Sequence, residues 1–435
     1  MYTEDLLLYG EDAAGGTDAV LSDMARLKRM ADGQEPYEKG EDRRLFFAVF
    51  RRLLDFASET GASGNLWQAY LAHYIAENEN AYSLALEIGG AAEGSLNEIA
   101  RHDFSFLREL FNWDFTELKG SLGTGQCAVM AAFTQDPGKT YSLQGDVVGR
   151  LEAFRSKLAA ADGTQSFREA AAEYYKKYGV GKFGLHKAFR IGRGEGGRAA
   201  IVPIANILPA SLDDLVGCET QKERLVANTE AFVEGRRANN CLLYGETGTG
   251  KSSSIKGILN RFAPAGLRMI QVYKYDFKDL MDIIAQIKLR RYRFILYMDD
   301  LSFEEDETEY KYLKAVIEGD LEQRPENVIL YATSNRRHLV RENYRDKEDR
   351  YQDMHTSDTV QEKLSLAERF GLRIYYGSPD RQGYEEIVRS IAKKSGLDMP
   401  EEELLAAANI FEITHGGFSG RVARQFVDEI AGRQK

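Results

Sequence analysis

"CLLYGETGTGKSSSIKGIL", residues 241–259, sets a glycine-studded turn between an apolar run and a helical pattern. Cys241-Leu242-Leu243-Tyr244 reads as a buried strand, and Ile255, Ile258, Leu259 and Phe262 recur at helical spacing beyond the turn. Between them, Gly245-x4-Gly250-Lys251-Ser252 has the spacing of a phosphate loop. Glycines let the backbone wrap so that successive N–H groups converge on an anion. The N-terminus of the following helix adds partial positive charge at the same place. In such a loop Lys251 reaches the β- and γ-phosphates, and the Ser252 hydroxyl takes Mg²⁺. The strand–turn–helix context separates this stretch from a chance match and predicts a nucleotide site.

A phosphate loop needs an acid to organise its metal. "RFILYMDDL" supplies one, because the apolar strand Phe294 to Met298 ends in Asp299-Asp300. The first acid is expected to hold Mg²⁺ through water and the second to polarise the attacking water. The next strand, Val328 to Ala332, ends in Thr333-Ser334-Asn335. A side-chain amide there, beside the γ-phosphate, can position water and report phosphate loss. Taken alone, Asn335 would read as a turn or cap residue; the series of features shifts that balance.

From Asp213 onward strand patterns at 240–244, 268–273, 293–298, 327–333 and 372–376 alternate with helical ones near 219–234, 251–262, 277–288, 308–322 and 358–370. Such alternation predicts an α/β phosphate-loop NTPase core over 213–377, a parallel sheet with helices on both faces. Three helical patterns and no strand follow Ser378-Pro379, predicting a helical lid over 378–435. Residues 1–182 read as an α-helical N-terminal domain, with Asp42 and Asn65 as expected caps and Gly89-Gly90 as a helix stop. His73 and His102 have no partner cluster and read as ordinary helix residues. Between the two regions, 183–212 reads as a β-hairpin around Gly192 to Gly197 that serves as a linker; a strand rather than a helix follows its glycines, which favours a hairpin over a second phosphate loop.

These motifs together resemble an AAA+ ATPase over residues 213–435, in the branch that includes replication initiators and helicase loaders. "LLYGETGTGKS" resembles its Walker A motif, which makes Gly245, Glu246, Thr247, Gly248, Thr249, Gly250, Lys251, Ser252 and Ser253 candidate nucleotide ligands. "FILYMDD" resembles Walker B and "YATSN" the sensor 1 strand end. "LDDLVG" resembles the segment that packs on adenine, implicating Val216 and Gly217. "LSLAERFGL" resembles the helix end carrying the arginine finger, which points to Arg369, and "GGFSGRVARQF" resembles sensor 2, which points to Arg421. The complete chain also resembles a group of uncharacterised bacterial ATP-binding proteins of this type. The resemblance implies ATP and Mg²⁺ as cofactors, Arg421 acting in its own subunit, and Arg369 reaching into a neighbour's site within a homo-oligomer. It departs in two places. Asp300 stands where a glutamate is usual, leaving Glu304 or Glu305 as alternative water-activating groups; and "VYKYDFKDL" lacks the glycine of a polypeptide-threading loop.

Composition bounds the rest. With 435 residues, 43% hydrophobic and 29% charged, the chain has material for two or three globular domains. A net charge of −11 argues against a surface devoted to duplex nucleic acid. The basic run from Arg336 to Arg350 is interleaved with Glu342, Asp346, Glu348 and Asp349 and reads as an ion-paired surface. Apolar runs too short for a membrane span, an acidic N-terminus and three scattered cysteines lead to an expected cytoplasmic location. The expected function is ATP hydrolysis coupled to remodelling or loading of a protein partner, selected by the N-terminal domain. The alternative is an ATP-gated binding module with little hydrolysis. A small-molecule kinase accounts for neither the lid nor the two arginines.

Overall fold

The computed structural model describes residues 3–10, 19–36, 38, 40–118, 126–135, 143, 145–205, 207, 210–303, 309–318, 325–335 and 366–433. The chain divides into two compact units, Met1–His186 and Lys187–Lys435.

The first unit is helical. Its longest helices, Glu41–Thr60 and Ser95–Phe111, bury the apolar stripes that include Phe46, Val49 and Leu53, and Phe104, Leu107 and Phe111. Asn65 caps the helix Leu66–Glu77 by accepting from the Gln68 N–H at 3.1 Å, and Gly90 ends the next helix in the left-handed region. Asp42 does not cap its helix. Gly40 occupies that position with φ 85°, and Asp42 is buried within the first turn. Carboxylate and backbone join the chain start to the core, since buried Asp103 accepts from the N–H groups of Leu7, Leu8 and Tyr9.

His73 lies on the helix Leu66–Glu77 with its ring 5.3 Å from that of Phe56. Burial pushes its imidazole down to about 4 from the usual 6.5; Glu77, 3.4 Å away, is solvent-exposed. The unfolded chain therefore binds a proton that the folded unit refuses between those values. The sign follows: stability is kept above about 6.5 and lost as pH falls towards 4, by roughly 3 kcal/mol from this group. Trp67 and Trp113, the chain's 2 tryptophans, both lie in this unit, so their fluorescence in urea reports on it alone. His73→Gln should flatten the drop between pH 7 and pH 4.5; an identical drop in parent and variant would show that His73 is not its source.

The second unit carries a seven-stranded sheet in the order β2-β1-β4-β5-β6-β3-β7. Its strands are β1 (Ala188–Arg193), β2 (Ala199–Pro203), β3 (Cys241–Gly245), β4 (Leu267–Gln271), β5 (Arg293–Met298), β6 (Val328–Ser334) and β7 (Leu372–Tyr376). All neighbours pair in parallel except β1 with β2. Every residue of β6 and nearly every one of β5 is buried, so both faces of the sheet are covered, as crossover helices require. The strand bearing the phosphate loop, β3, lies between β6 and β7 and one strand removed from β5. With three helices, Arg381–Lys394, Glu401–His415 and Gly420–Arg433, forming a separate core, this is an α/β phosphate-loop fold, a mostly parallel sheet with a helical C-terminal part.

The hairpin is not merely a connection. Its β1 strand pairs in parallel with β4, Ala188 against Met269, and extends the sheet by two strands. The helix expected over 277–288 begins as a 3-10 turn, Lys274–Asp279, before the α-helix Leu280–Ile287. Most of the helix expected over 358–370 lies outside the described residues, as do Glu304, Glu305 and the basic run 336–350. Among the described residues no helix is long and apolar enough to cross a membrane.

Candidate functional site

The loop after β3 is shaped by its neighbours. Gly245 has φ 133°, and a Cβ there would lie 2.0 Å from the Tyr376 carbonyl oxygen, so β7 leaves room for glycine alone. The Glu246 N–H donates to the same oxygen at 3.0 Å. The Thr249 hydroxyl donates to the Glu246 carbonyl at 2.8 Å, and Gly250, at φ 96°, opens the helix Lys251–Phe262. Lys251 is buried, and its ammonium donates to the carbonyls of Gly245 (2.9 Å) and Glu246 (2.6 Å). Burial lowers its pKa, against the raising effect of Asp300 and Glu246. A buried cation whose acceptors among the described residues are neutral carbonyls is a strong partner for phosphate oxygens.

The acids at the end of β5 meet this loop from the side. Asp299 Oδ1 accepts from the Ser252 hydroxyl at 2.7 Å and from the Thr333 hydroxyl at 2.6 Å. Burial raises the pKa of this carboxyl, but the hydroxyls that donate to it, Thr333 first and then Ser252, with Lys256 nearby, help to hold it below its ordinary value. A hydroxyl and an ionised carboxylate converging on one point are hard oxygen donors, which fits Mg²⁺. Asp300 turns away into the left-handed region at φ 52°. Its N–H donates to the Thr333 hydroxyl at 2.8 Å, and its Oδ1 accepts from the Asn335 amide at 2.8 Å. Thr333 thereby orients both acids, while Asn335 touches the second.

The lid closes the cavity. Ser419 accepts from the Val422 N–H to cap the helix Gly420–Arg433, and the Arg421 N–H donates to the Gly248 carbonyl at 3.3 Å. A Cβ on Gly248 would come within 3.0 Å of Arg421 Cβ, so lid and loop are in direct contact. On the other side, Leu212 packs over Gly257 and Lys222 donates to the Leu215 carbonyl at 2.6 Å, fixing the segment that presents Val216 and Gly217. Lys394 of the lid pairs with Asp214 of that segment, and this partner holds the Asp214 carboxyl low.

These parts enclose about 440 Å³. Val216, Gly217, Thr247, Gly248, Thr249, Gly250, Lys251, Ser252, Ser253, Asp299, Asp300, Asn335 and Arg421 all line it. Gly245 and Glu246 lie beneath, as acceptors for Lys251. Arg369 is not among the lining residues; it is half-buried after the turn at 366–368, where its N–H donates to the Leu366 carbonyl. Sequence reading missed Arg424 and the lid residues Ile387 and Ile391, which also line the cavity. Arg424 lies three residues after Arg421, one turn on along the same helix face, a spacing that could have drawn attention to it.

Residues 185–434 match a family described as "Protein of unknown function (DUF815)". No curated protein matches the chain. Among solved structures, the Thermotoga maritima RuvB Holliday junction branch migration motor is 16% identical, with a TM-score of 0.37 over 51% of this chain and 64% of its own. The FIGL-1 AAA domain in complex with ADP is also 16% identical, with a TM-score of 0.35 over 51% of this chain and 72% of its own. The chain thus spans less than two thirds of the RuvB length.

Proposed function

Since the chain belongs to the DUF815 family, whose description names no activity, the site must supply the function, and we propose a Mg·ATP-dependent AAA+ ATPase that remodels or loads a protein partner. One observation carries this reading: Ser252 and Thr333 converge on one oxygen of Asp299, while Asn335 holds Asp300, at the mouth of a phosphate loop that contains a buried lysine. ATP would lie with its base between Val216 and the lid residues Ile387 and Ile391, and its phosphates against residues 245–252. Lys251 binds the β- and γ-phosphates, and Ser252 and Asp299 hold Mg²⁺. The bound ion would neutralise charge developing on the phosphoryl oxygens. Asp300 takes a proton from the attacking water, which Asn335 positions. Arg421 contacts the γ-phosphate within its own subunit, and Arg369 serves a neighbouring subunit of a homo-oligomer. The N-terminal unit selects the partner, and three free, buried cysteines fit a reducing, cytoplasmic setting.

Asp300→Asn tests the assignment of the base. The amide still fills its place but cannot accept a proton, so turnover should fall by about 10²-fold or more, while the ATP-induced rise in melting temperature persists. Unchanged phosphate release would move the base elsewhere, with Glu304 and Glu305 next to be tested. A second reading rests on Asp300 itself: a short acid with a left-handed backbone suits slow hydrolysis, and hence an ATP-gated binding module. In that case ATP stabilises the parent chain, yet parent and Asp300→Asn release phosphate equally slowly.

A further inference from the structure

Tyr297 lies on β5 two residues before Asp299, so strand alternation sets the two side chains on one face of the sheet. Tyr331 and Thr333 occupy that face on β6, with Tyr331 in register with Tyr297, and the hydrogen bond from Thr333 to Asp299 fixes the shared side. Tyr297 belongs to the core that includes Ile255, Ile258 and Leu259 of the helix Lys251–Phe262, whose first turn carries Ser252. The residue is only 3% exposed, yet its hydroxyl has no hydrogen-bond partner among the described residues. The neighbouring tyrosine is the opposite case. The Tyr331 hydroxyl meets the Thr229 hydroxyl at 2.7 Å and accepts from the Asn228 amide at 3.0 Å. A buried hydroxyl left unpaired is costly, and such a group calls for a role that uses it. A phenylalanine would fill the same core without that cost. After burial, Asp299 acts most strongly on this hydroxyl, followed by Ser252 and Thr333.

We propose that Tyr297 is a positioning residue for the Mg²⁺ site, its phenol O–H donating to the Asp299 carboxylate when Mg·ATP is bound. The inference rests on the Mg·ATP reading of that site. Asp299 has room for the donor: its Oδ1 takes the hydroxyls of Ser252 and Thr333, and no described residue donates to its second oxygen. A carboxylate held at one oxygen alone keeps freedom to turn about it, and a donor at the other oxygen fixes its plane. Hydrogen bonds around a site commonly tighten only once the ligand is in place. Tyr297 does not line the nucleotide cavity, so it acts through Asp299 and not on the phosphates.

The test is the affinity of the full-length chain for a fluorescent ATP analogue, followed by anisotropy with Mg²⁺ and with the ion chelated, in the parent and in Tyr297→Phe. Phenylalanine keeps the ring and removes only the hydroxyl. Loss of a partner behind a metal ligand weakens metal binding about 10–100-fold, so the gain in affinity that Mg²⁺ gives the parent should shrink by about that factor. In chelator the two proteins should bind alike. Without nucleotide, Tyr297→Phe should melt no lower than the parent, since the lost hydroxyl leaves no partner behind. Tyr331→Phe should melt lower, because Thr229 and Asn228 each lose a partner. Three results would overturn the inference alone: an undiminished Mg²⁺ gain in Tyr297→Phe; weakening of equal size with the ion and in chelator, which would be a packing effect; or nucleotide-free Tyr297→Phe melting as low as Tyr331→Phe. A parent that gains nothing from Mg²⁺ would overturn the Mg·ATP reading and this inference with it.

Discussion

Lys251→Ala should abolish the rise in melting temperature that Mg·ATP gives the parent chain. Its ammonium is buried against the carbonyls of Gly245 and Glu246, so it is already held where phosphate oxygens would arrive. Removing it deletes the buried cation of the loop and leaves the apolar core around Ile255, Ile258 and Leu259 in place. Ligand at a hundred to a thousand times its dissociation constant stabilises a protein by about 3–4 kcal/mol, which for a unit of this size is roughly 5–15 °C. The parent should show a shift of that order and the variant almost none. Because burial disfavours the charged lysine in the free protein, the variant should be no less stable than the parent without nucleotide. Equal shifts in both proteins would remove Lys251 from the phosphate site.

Arg369→Ala should bind ATP almost as the parent does and hydrolyse it about 10³-fold more slowly, the usual scale for an arginine finger. Arg369 is not among the residues lining the cavity, so the predicted loss depends on the proposed homo-oligomer bringing it to a neighbour's site. It follows the turn at 366–368 and precedes β7, the strand that borders the phosphate loop through Tyr376. Mixing Arg369→Ala with Lys251→Ala subunits should restore part of the activity: a site with an intact Lys251 then faces a neighbour with an intact Arg369. If mixed oligomers form and stay inactive, the in-trans role is wrong. If Arg369→Ala alone is fully active, the residue is only a cation at a helix end.

Much of this site was legible because strand ends and loops carry its chemistry at fixed places in the chain. The alternation of apolar runs with helical spacing placed β3 to β7 to within about two residues. What stayed hidden depended on contacts between distant segments. Thr333 looks like an ordinary β-branched strand residue, and only the β5–β6 register, with Met298 opposite Ala332, brings its hydroxyl to the Asp299 carboxylate and the Asp300 N–H. The pairing of Lys394 with Asp214 joins residues 180 apart, which no local pattern signals. The hairpin at 188–203 was visible from its glycines and alternation, but period-two patterning does not say which sheet edge a hairpin joins. Asp42 failed as a cap because Gly40 takes the left-handed backbone that starts the helix two residues earlier.

The most direct measurement is steady-state phosphate release from ATP by the full-length chain, with Mg²⁺ and with the ion chelated. The proposed arrangement, with Ser252 and Asp299 set to hold the ion and Asp300 set to take a proton, predicts release that requires Mg²⁺ and is lost in Asp300→Asn. Release that continues unchanged in chelator, or no release by the parent at any protein concentration, would contradict it.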